Sequence, residues 1–586
     1  MKAALLALAA LALGAGAAAA GTAADRDARP PEAATGLFRK AEVRATRAMV
    51  VAAHPLAAEA GRDAIRDGGS AVDAAIVAIL VLNLVEPQSA GLGGGGFLVL
   101  RDAAGGGITT FDGRETAPAS VDVNLFRDGA GRPRPWPDIV TGGAATGVPG
   151  LLAMLDLAHR RHGRLDWARL VAPALGLAEN GYPVGRRLAS LLSSDPRLAR
   201  DPAARALFFR ADGSPAREGD MLKNPDFAAT LRMIAAEGPA AFYRPPFAAR
   251  LVEAVGRAPN PGRMSLADIA AYRAVERPPV CGEFRAWRVC GMGPPSSGGI
   301  VLAQILGLVA RAAPTPREGE DGMAIVIEAM RLAYADRDAW VADPDRVAVP
   351  TAALVDPRYL DGRARLIDIA PRPAPRPPAP AGTPEIRAGA LPAAAPSPEV
   401  PSTTHLSVVD AEGDAVALTA SIEGAFGTAR MVGGFLLNNQ LTDFSDAFDA
   451  DREGRPVANR IEGGKRPRSA MTPTIVTDGT GALAAITGSP GGARIPGFVA
   501  RTLVDMLDHG DGPLAALSRP HYLDRNRGLE LEAGTPLADA AERFAARGYA
   551  TRTMEMNSGL HVIVRSGGAF VGAADPRREG AAAGLD

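Results

Sequence analysis

Pro401-Ser402-Thr403-Thr404-His405-Leu406-Ser407-Val408-Val409-Asp410 is followed by Ala411-Glu412-Gly413 and then by Asp414-Ala415-Val416-Ala417-Leu418-Thr419-Ala420-Ser421. Two short alternating runs around a three-residue break predict a hairpin, with strands over Thr403–Asp410 and Asp414–Ser421. Such a loop needs its last residue in the left-handed region, and Gly413 stands there. If Asp410 and Asp414 close it, Thr403 faces Ser421 across the hairpin, about 5 Å apart at Cβ. Turn chemistry alone thus pairs two hydroxyls, although two ordinary polar strand residues would read the same way. Residues 371–402, just upstream, are dominated by Pro and Ala. They bury too little apolar surface to offset their ordering entropy, which predicts a flexible tether. A chain cut where such a tether meets a strand gains a useful new N-terminus at Thr403.

The 586 residues would ordinarily suggest about four domains, and their net charge of −1 leaves no basic footprint for nucleic acid. Lys2, the apolar run Ala3 to Leu13 and Ala18-Ala19-Ala20 form a secretory signal pattern. This predicts a signal peptide over 1–20, an extracytoplasmic (periplasmic or secreted) protein, and no membrane span once it is removed. An uncleaved anchor is the other reading of that run. Cys281 and Cys290 are the two cysteines; their spacing suits either a bridged short hairpin or two buried thiols. His159 and His162, at i and i+3 beside two arginines, suit a solvated helix face. With no ligand-like cluster, neither metal nor cofactor is predicted.

From the N-terminus, residues 21–45 read as a mobile leader. Ala48–Ala53 reads as a strand and Ala57–Asp67 as a helix ending at Gly68-Gly69. Ser70 caps an apolar helix from Ala71 to about Val85, with Asp73 in its first turn. Glu86-Pro87-Gln88-Ser89-Ala90-Gly91-Leu92-Gly93-Gly94-Gly95-Gly96-Phe97 lacks the Gly-Lys-Ser/Thr of a phosphate loop and precedes a strand, Phe97 to Arg101. Its glycines therefore read as close backbone packing. Gly147–Gly150 opens a helical stretch. Another helix spans Trp167–Glu179, kinked or restarted at Pro173. A mostly helical pattern runs to about 370, interrupted by a turn at Pro294–Gly299. The remainder, 403–586, is β-rich, with helices near Pro496–Leu507 and Leu537–Arg547 and a frayed end from Gly580.

Thr-Thr-His-Leu-Ser-Val-Val-Asp at 403–410, Phe426-Gly427-Thr428, Leu436–Ser445, Lys465–Thr474 and Gly488–Arg494 together resemble the gamma-glutamyltransferase family. With matching segments upstream, the resemblance covers nearly all of the mature chain. It implies an α+β fold of the N-terminal nucleophile hydrolase type, a four-layer α/β/β/α sandwich of two antiparallel sheets flanked by helices. It implies one folded domain built from a large segment, 21–402, and a small catalytic segment, 403–586, the two products of cleavage staying together as a heterodimer. Thr403 is then the nucleophile, first on the Ser402 carbonyl and later on a small-molecule γ-glutamyl amide such as glutathione. Its freed α-amine serves as base, titrating ordinarily at about 7.7–8.0. Water or an amino acid or peptide takes the acyl group. By the same resemblance Gly491 and Gly492 supply oxyanion donors, Ser421 orients the Thr403 hydroxyl, and Arg114 and Ser469 hold the donor's carboxylate. Glu423, Gln440 and Asp443 hold its ammonium, and Asp446–Gly464 occupies the place of a lid.

Some positions depart from the family pattern. Ser469-Ala470 stands where many members carry two serines, Ser421 where threonine is usual, and Glu423 where some relatives carry asparagine. A second reading is an amidohydrolase like the cephalosporin or glutaryl acylases, which share the scaffold and take side chains without the α-amine. A third is a binding protein of this fold that is never cut.

Overall fold

The computed structural model describes residues 36–385, 392–395, 397, 402–445 and 454–586. The predicted hairpin is its centre. Thr403–Val409 pairs with Ala415–Ser421, and Thr403 lies opposite Ser421. Gly413 takes φ +87°, and the Asp410 and Gly413 amides close the turn. Ala48–Ala52 flanks the hairpin on one side and Gly95–Arg101 on the other. Ala581–Leu585, Ile108–Asp112 and Val275–Arg277 complete a seven-stranded sheet.

A second seven-stranded sheet runs Val43–Ala45, Ala569–Ala574, His561–Ser566, Leu483–Gly488, Thr474–Thr477, Trp287–Gly291 and Val280–Phe284 in spatial order. Every strand pair in the two sheets is antiparallel. Period-two alternation then builds the layers. Val50, Leu98, Leu406, Val408 and Leu418 pack with the helices Pro55–Arg66, Ala71–Val85 and Leu151–His162. Met49, Val51, Phe97 and Val99, on the opposite face, pack with Ile475, Ile486 and Val562 of the second sheet. Behind that sheet lie Gly298–Ala312, Gly319–Trp340 and Ile495–Leu507. The four-layer α/β/β/α sandwich is therefore as expected.

Local chemistry explains the best-read elements. Ser70 and Asp73 form a reciprocal capping box on Ala71–Val85, all of whose residues are buried, so that helix is apolar all round. The glycine run is a backbone-packing device. A Cβ at Gly93 would lie 2.1 Å from the Leu436 carbonyl oxygen, and one at Gly94 would lie 2.2 Å from that of Ser421.

Several expectations need correction. The stretch before 48 is not a free leader throughout: Val43–Ala45 pairs with Ala569–Ala574, and the Phe38 amide donates to Pro576. The carboxyl end is not frayed, because Ala581–Leu585 pairs with Ala48–Ala52. The region read as mostly helical contains the Val280–Phe284/Trp287–Gly291 hairpin, across which Cys281 and Cys290 are disulfide-bonded. Trp167–Asn180 is one helix with Pro173 inside it. The described part of the expected tether is tied down. Ala379 donates to Asn526, Gly382 to Asp336 and Ala395 to the Asp338 carbonyl. Fixed polar partners hold it, with a small apolar cluster of Ala393 and Ala395 against Val457. Residues 1–35, the rest of the tether and 446–453 of the expected lid lie outside the described residues.

Candidate functional site

Thr403 and Ser421 are nearly fully buried at the end of the central hairpin, and the Ser421 hydroxyl is completely committed. It accepts from the Thr403 hydroxyl at 3.3 Å and from the Glu423 amide at 2.9 Å. It donates to the Ser402 carbonyl at 3.0 Å. A hydroxyl has one proton and two lone pairs, so with both lone pairs accepting, the proton has one place to go. That place is the carbonyl of the peptide bond joining Ser402 to Thr403. The hydroxyl of Thr403 and that carbonyl are thus held on one atom.

Other groups fix the chain around this point. Ser402 Oγ donates to the Gln88 carbonyl at 2.7 Å. Thr404 Oγ1 donates to Glu86 Oε2 at 3.0 Å, and Glu86 Oε1 is paired with Arg187 at 2.6 Å, both fully buried. Arg578 donates to the Thr403 carbonyl at 3.3 Å. Sequence reasoning missed Glu86, Arg187, Thr404 and Arg578. Only Glu86 carried a signal, as the acid that closes a largely apolar helix.

Arg114, Thr403, Ser421, Glu423, Gln440, Asp443, Ser469 and Gly492 line one cleft, together with Ala470, Met471 and Ile495. Eight of the nine predicted residues therefore converge. Gly491 is adjacent, with φ +139°, and its Cβ position is blocked by the Phe498 ring at 2.8 Å. Gly492 also takes the left-handed region, φ +58°. Glu423 has φ +77°, a conformation that costs a non-glycine residue about 1–2 kcal/mol.

Arg114 is fully buried and donates to Asp443 at 2.5 Å and to the Pro467 and Arg468 carbonyls. Gln440 Nε2 donates to the same Asp443 oxygen at 2.7 Å, while Gln440 Oε1 has no hydrogen-bond partner among the described residues. One cation, one anion and one open acceptor are thereby wired together. The Ser469 carbonyl accepts from the Ser297 amide and hydroxyl, and Ser296 donates to Met471. The Pro294–Gly299 serines, read as a turn, thus brace the Ser469–Met471 wall. Asn438 donates to both Gly93 and Gly147, locking the 436–443 segment to the glycine run.

The cleft has room for about 20 Å³ in the uncut chain.

A family model described as gamma-glutamyltranspeptidase matches residues 57–585. The chain is 37% identical over 549 residues to the glutathione hydrolase proenzyme of Escherichia coli (strain K12), covering 91% of each. It belongs to the gamma-glutamyltranspeptidase family. The glutathione hydrolase proenzyme of Bacillus subtilis (strain 168) is 34% identical over 556 residues, covering 92% of this chain and 91% of that one. An acylase ACY 1 proenzyme of a Pseudomonas sp. (strain SE83) is 32% identical over 562 residues, 94% and 96% of the two chains. Among solved structures, the cephalosporin acylase of Bacillus halodurans superposes at TM-score 0.81 with 25% identity, over 95% of this chain and 99% of that one. The gamma-glutamyltranspeptidase of Helicobacter pylori superposes at 0.51 with 32% identity, over 57% and 93%. Membership in the gamma-glutamyltranspeptidase family makes this an enzyme of the N-terminal nucleophile hydrolase fold, and its relatives are made as proenzymes. Among the described residues no helix is long and apolar enough to cross a membrane.

Proposed function

We propose that this protein is an extracytoplasmic, self-processing γ-glutamyl hydrolase and transferase, with glutathione or a related compound as donor. The observation that carries the processing step is the Ser421 hydroxyl, committed at once to Thr403 and to the Ser402 carbonyl. Thr403 Oγ attacks that carbonyl and its C–O bond forms. The Ser402–Thr403 C–N bond breaks, and the nitrogen takes the proton as the new α-amine. Water hydrolyses the ester, leaving segments 21–402 and 403–586 as a heterodimer.

In the mature site the Thr403 hydroxyl, with its own amine as base, takes the γ-glutamyl group from the donor. The backbone amides of Gly491 and Gly492 hold the oxyanion, each worth roughly 3–4 kcal/mol. Arg114 and Ser469 bind the donor's carboxylate; Asp443, Gln440 and Glu423 bind its ammonium. The present Arg114–Asp443 pair supports a zwitterionic donor. Carboxylate and ammonium together replace both halves of the pair, whereas a glutaryl group would satisfy Arg114 and leave Asp443 buried without its cation, which is costly. Ala470 in the cleft wall removes one hydroxyl from the carboxylate side and favours the acylase reading to that extent.

Intact mass and N-terminal sequencing of native protein and Thr403→Ala test the proposal. Two fragments, the smaller beginning at Thr403, and an uncut variant are expected. An uncut native chain would make the binding-protein reading the better one. Faster turnover of glutaryl-p-nitroanilide than of γ-glutamyl-p-nitroanilide would make the enzyme an acylase.

A further inference from the structure

Beside Arg114, behind the residues that line the cleft, lies a carboxyl group to which the proposed reaction gives no task. Glu115 follows Arg114 and is fully buried. Neither of its carboxyl oxygens has a hydrogen-bond partner in another described residue, and Oε2 lies 3.6 Å from Arg114 Nη1. Two glycines make its space: a Cβ at Gly95 would come within 2.6 Å of Oε2, and one at Gly147 within 2.7 Å of the Glu115 Cβ.

We propose that Glu115 is a positioning residue that sets the alkaline limit of donor binding. As a neutral acid it leaves the Arg114 guanidinium to the donor's carboxylate; as a carboxylate it competes for that guanidinium. This rests on the donor reading given above for Arg114.

The charged and titratable groups facing it explain why it is neutral. Arg114 and the backbone amide of Glu115 itself favour ionisation, and Arg114 is already paired at 2.5 Å with Asp443 from the Gln440–Asp443 turn. Asp443 and Asp112 both disfavour a further negative charge. Asp112 itself is held by Arg277 and Arg466, and the Tyr272 hydroxyl accepts from Arg466, so that cation is spent elsewhere. Gly95 and Gly147 offer no side-chain donor. Burial therefore dominates and raises the carboxyl to about 8. A donor carboxylate arriving at Arg114 adds a third anion and holds the Glu115 proton more tightly. Donor binding above about pH 8 is thus coupled to uptake of one proton.

The experiment compares native protein with Glu115→Gln and, as a second variant, Glu115→Met, each scored first for cleavage into two fragments as a sign of folding. The KM for γ-glutamyl-p-nitroanilide is measured from pH 6.5 to 9.5. The native-to-variant KM ratio is expected to rise about tenfold between pH 7 and pH 9, while the kcat ratio stays flat. Titration of the donor's own amine cancels in this ratio. L-Glutamate binding, followed calorimetrically at pH 8.5 in two buffers of different ionisation heat, should show proton uptake by the native protein that the variants lack. A flat KM ratio, or equal proton uptake in all three proteins, overturns the role of Glu115. If no protein turns over the donor, the donor reading fails, and proton uptake on L-glutamate binding still decides the inference: its presence in the native protein alone supports it, and its absence or lack of binding overturns it.

Discussion

Ser421→Ala removes a hydroxyl that touches both Thr403, the proposed nucleophile, and the Ser402 carbonyl. The carbonyl loses a donor at 3.0 Å, in a site that solvent cannot reach, since Ser402 is fully buried. Negative charge develops on that oxygen as the Thr403 Oγ–C bond forms. One positioned donor to such an oxygen is worth roughly 3–4 kcal/mol, or about 10²–10³ in rate. The 3.3 Å contact between hydroxyls is long for its kind and adds little, so the carbonyl contact sets the size of the effect. Self-cleavage of the Ala variant should therefore be about 10²–10³-fold slower. Ser421→Thr, which keeps the hydroxyl and suits a strand, should cleave far faster than the Ala variant. The measurement is the first-order conversion of full-length chain into two fragments, by intact mass after a pulse of cell-free synthesis. A Ser421→Ala chain that cleaves within tenfold of the native rate would refute the argument, because the carbonyl would then have another donor.

The glycine run makes a steric prediction: Gly94→Ala sets a methyl 2.2 Å from a fixed backbone oxygen and 2.8 Å from Ile422. Overpacking against backbone should cost more than about 3 kcal/mol and abolish soluble cleaved protein, whereas Gly107→Ala, with nothing within 4 Å, should accumulate normally. A pH prediction follows from His54, which burial lowers to about 4 and which caps Pro55–Arg66 by accepting from the Leu56 amide, a role open to neutral imidazole alone. Its unfolded form binds the extra proton, so its contribution is complete above about pH 6.5 and is lost as pH falls toward 4, about 3 kcal/mol by pH 4.5. Asp410 and Asp524, raised to about 6 by burial, act in the opposite sense, so the informative quantity is the difference on His54→Asn. That variant keeps a cap and should lose less stability between pH 7 and pH 4.5, read by urea melts.

Turn chemistry and periodicity carried the centre of the fold. The register that puts Thr403 opposite Ser421 required only a three-residue loop with a glycine in its last place. The Ser70–Asp73 cap and the apolar run after it were equally local. What sequence could not give was set by distant partners. Ala581–Leu585 looks like a polar-poor tail until Ala48–Ala52 offers it an edge. Ala379, Gly382 and Ala395 look unable to order until Asn526, Asp336 and Asp338 supply their hydrogen bonds. The cleft residues came from motif resemblance, but their wiring did not. Nothing in the sequence sets Glu115 apart, and only burial reveals a carboxyl beside the Arg114 guanidinium without a hydrogen-bond partner in another described residue.

The geometry of the hairpin also explains how a cut at Thr403 can leave the site intact. On one side, Thr403–Val409 is paired along its whole length with Ala415–Ser421, which pairs in turn with Gly95–Arg101. On the other side, pairing with Ala48–Ala52 begins only at Leu406. The ladder thus starts at Thr403 itself, and Ser402 belongs to none of its rungs. Breaking the Ser402–Thr403 bond costs no strand pairing, while both flanking strands, from the larger fragment, still grip the hairpin of the smaller one. Thr403 to His405 lack a neighbour on the Ala48–Ala52 side, and in that stretch Thr404 meets Glu86 and the Thr403 carbonyl meets Arg578. The new amine would emerge among polar groups, with its hydroxyl still opposite Ser421. An N-terminus laddered on both edges would have had its nitrogen committed to the sheet, and one at a free chain end would have lost its register with the cleft.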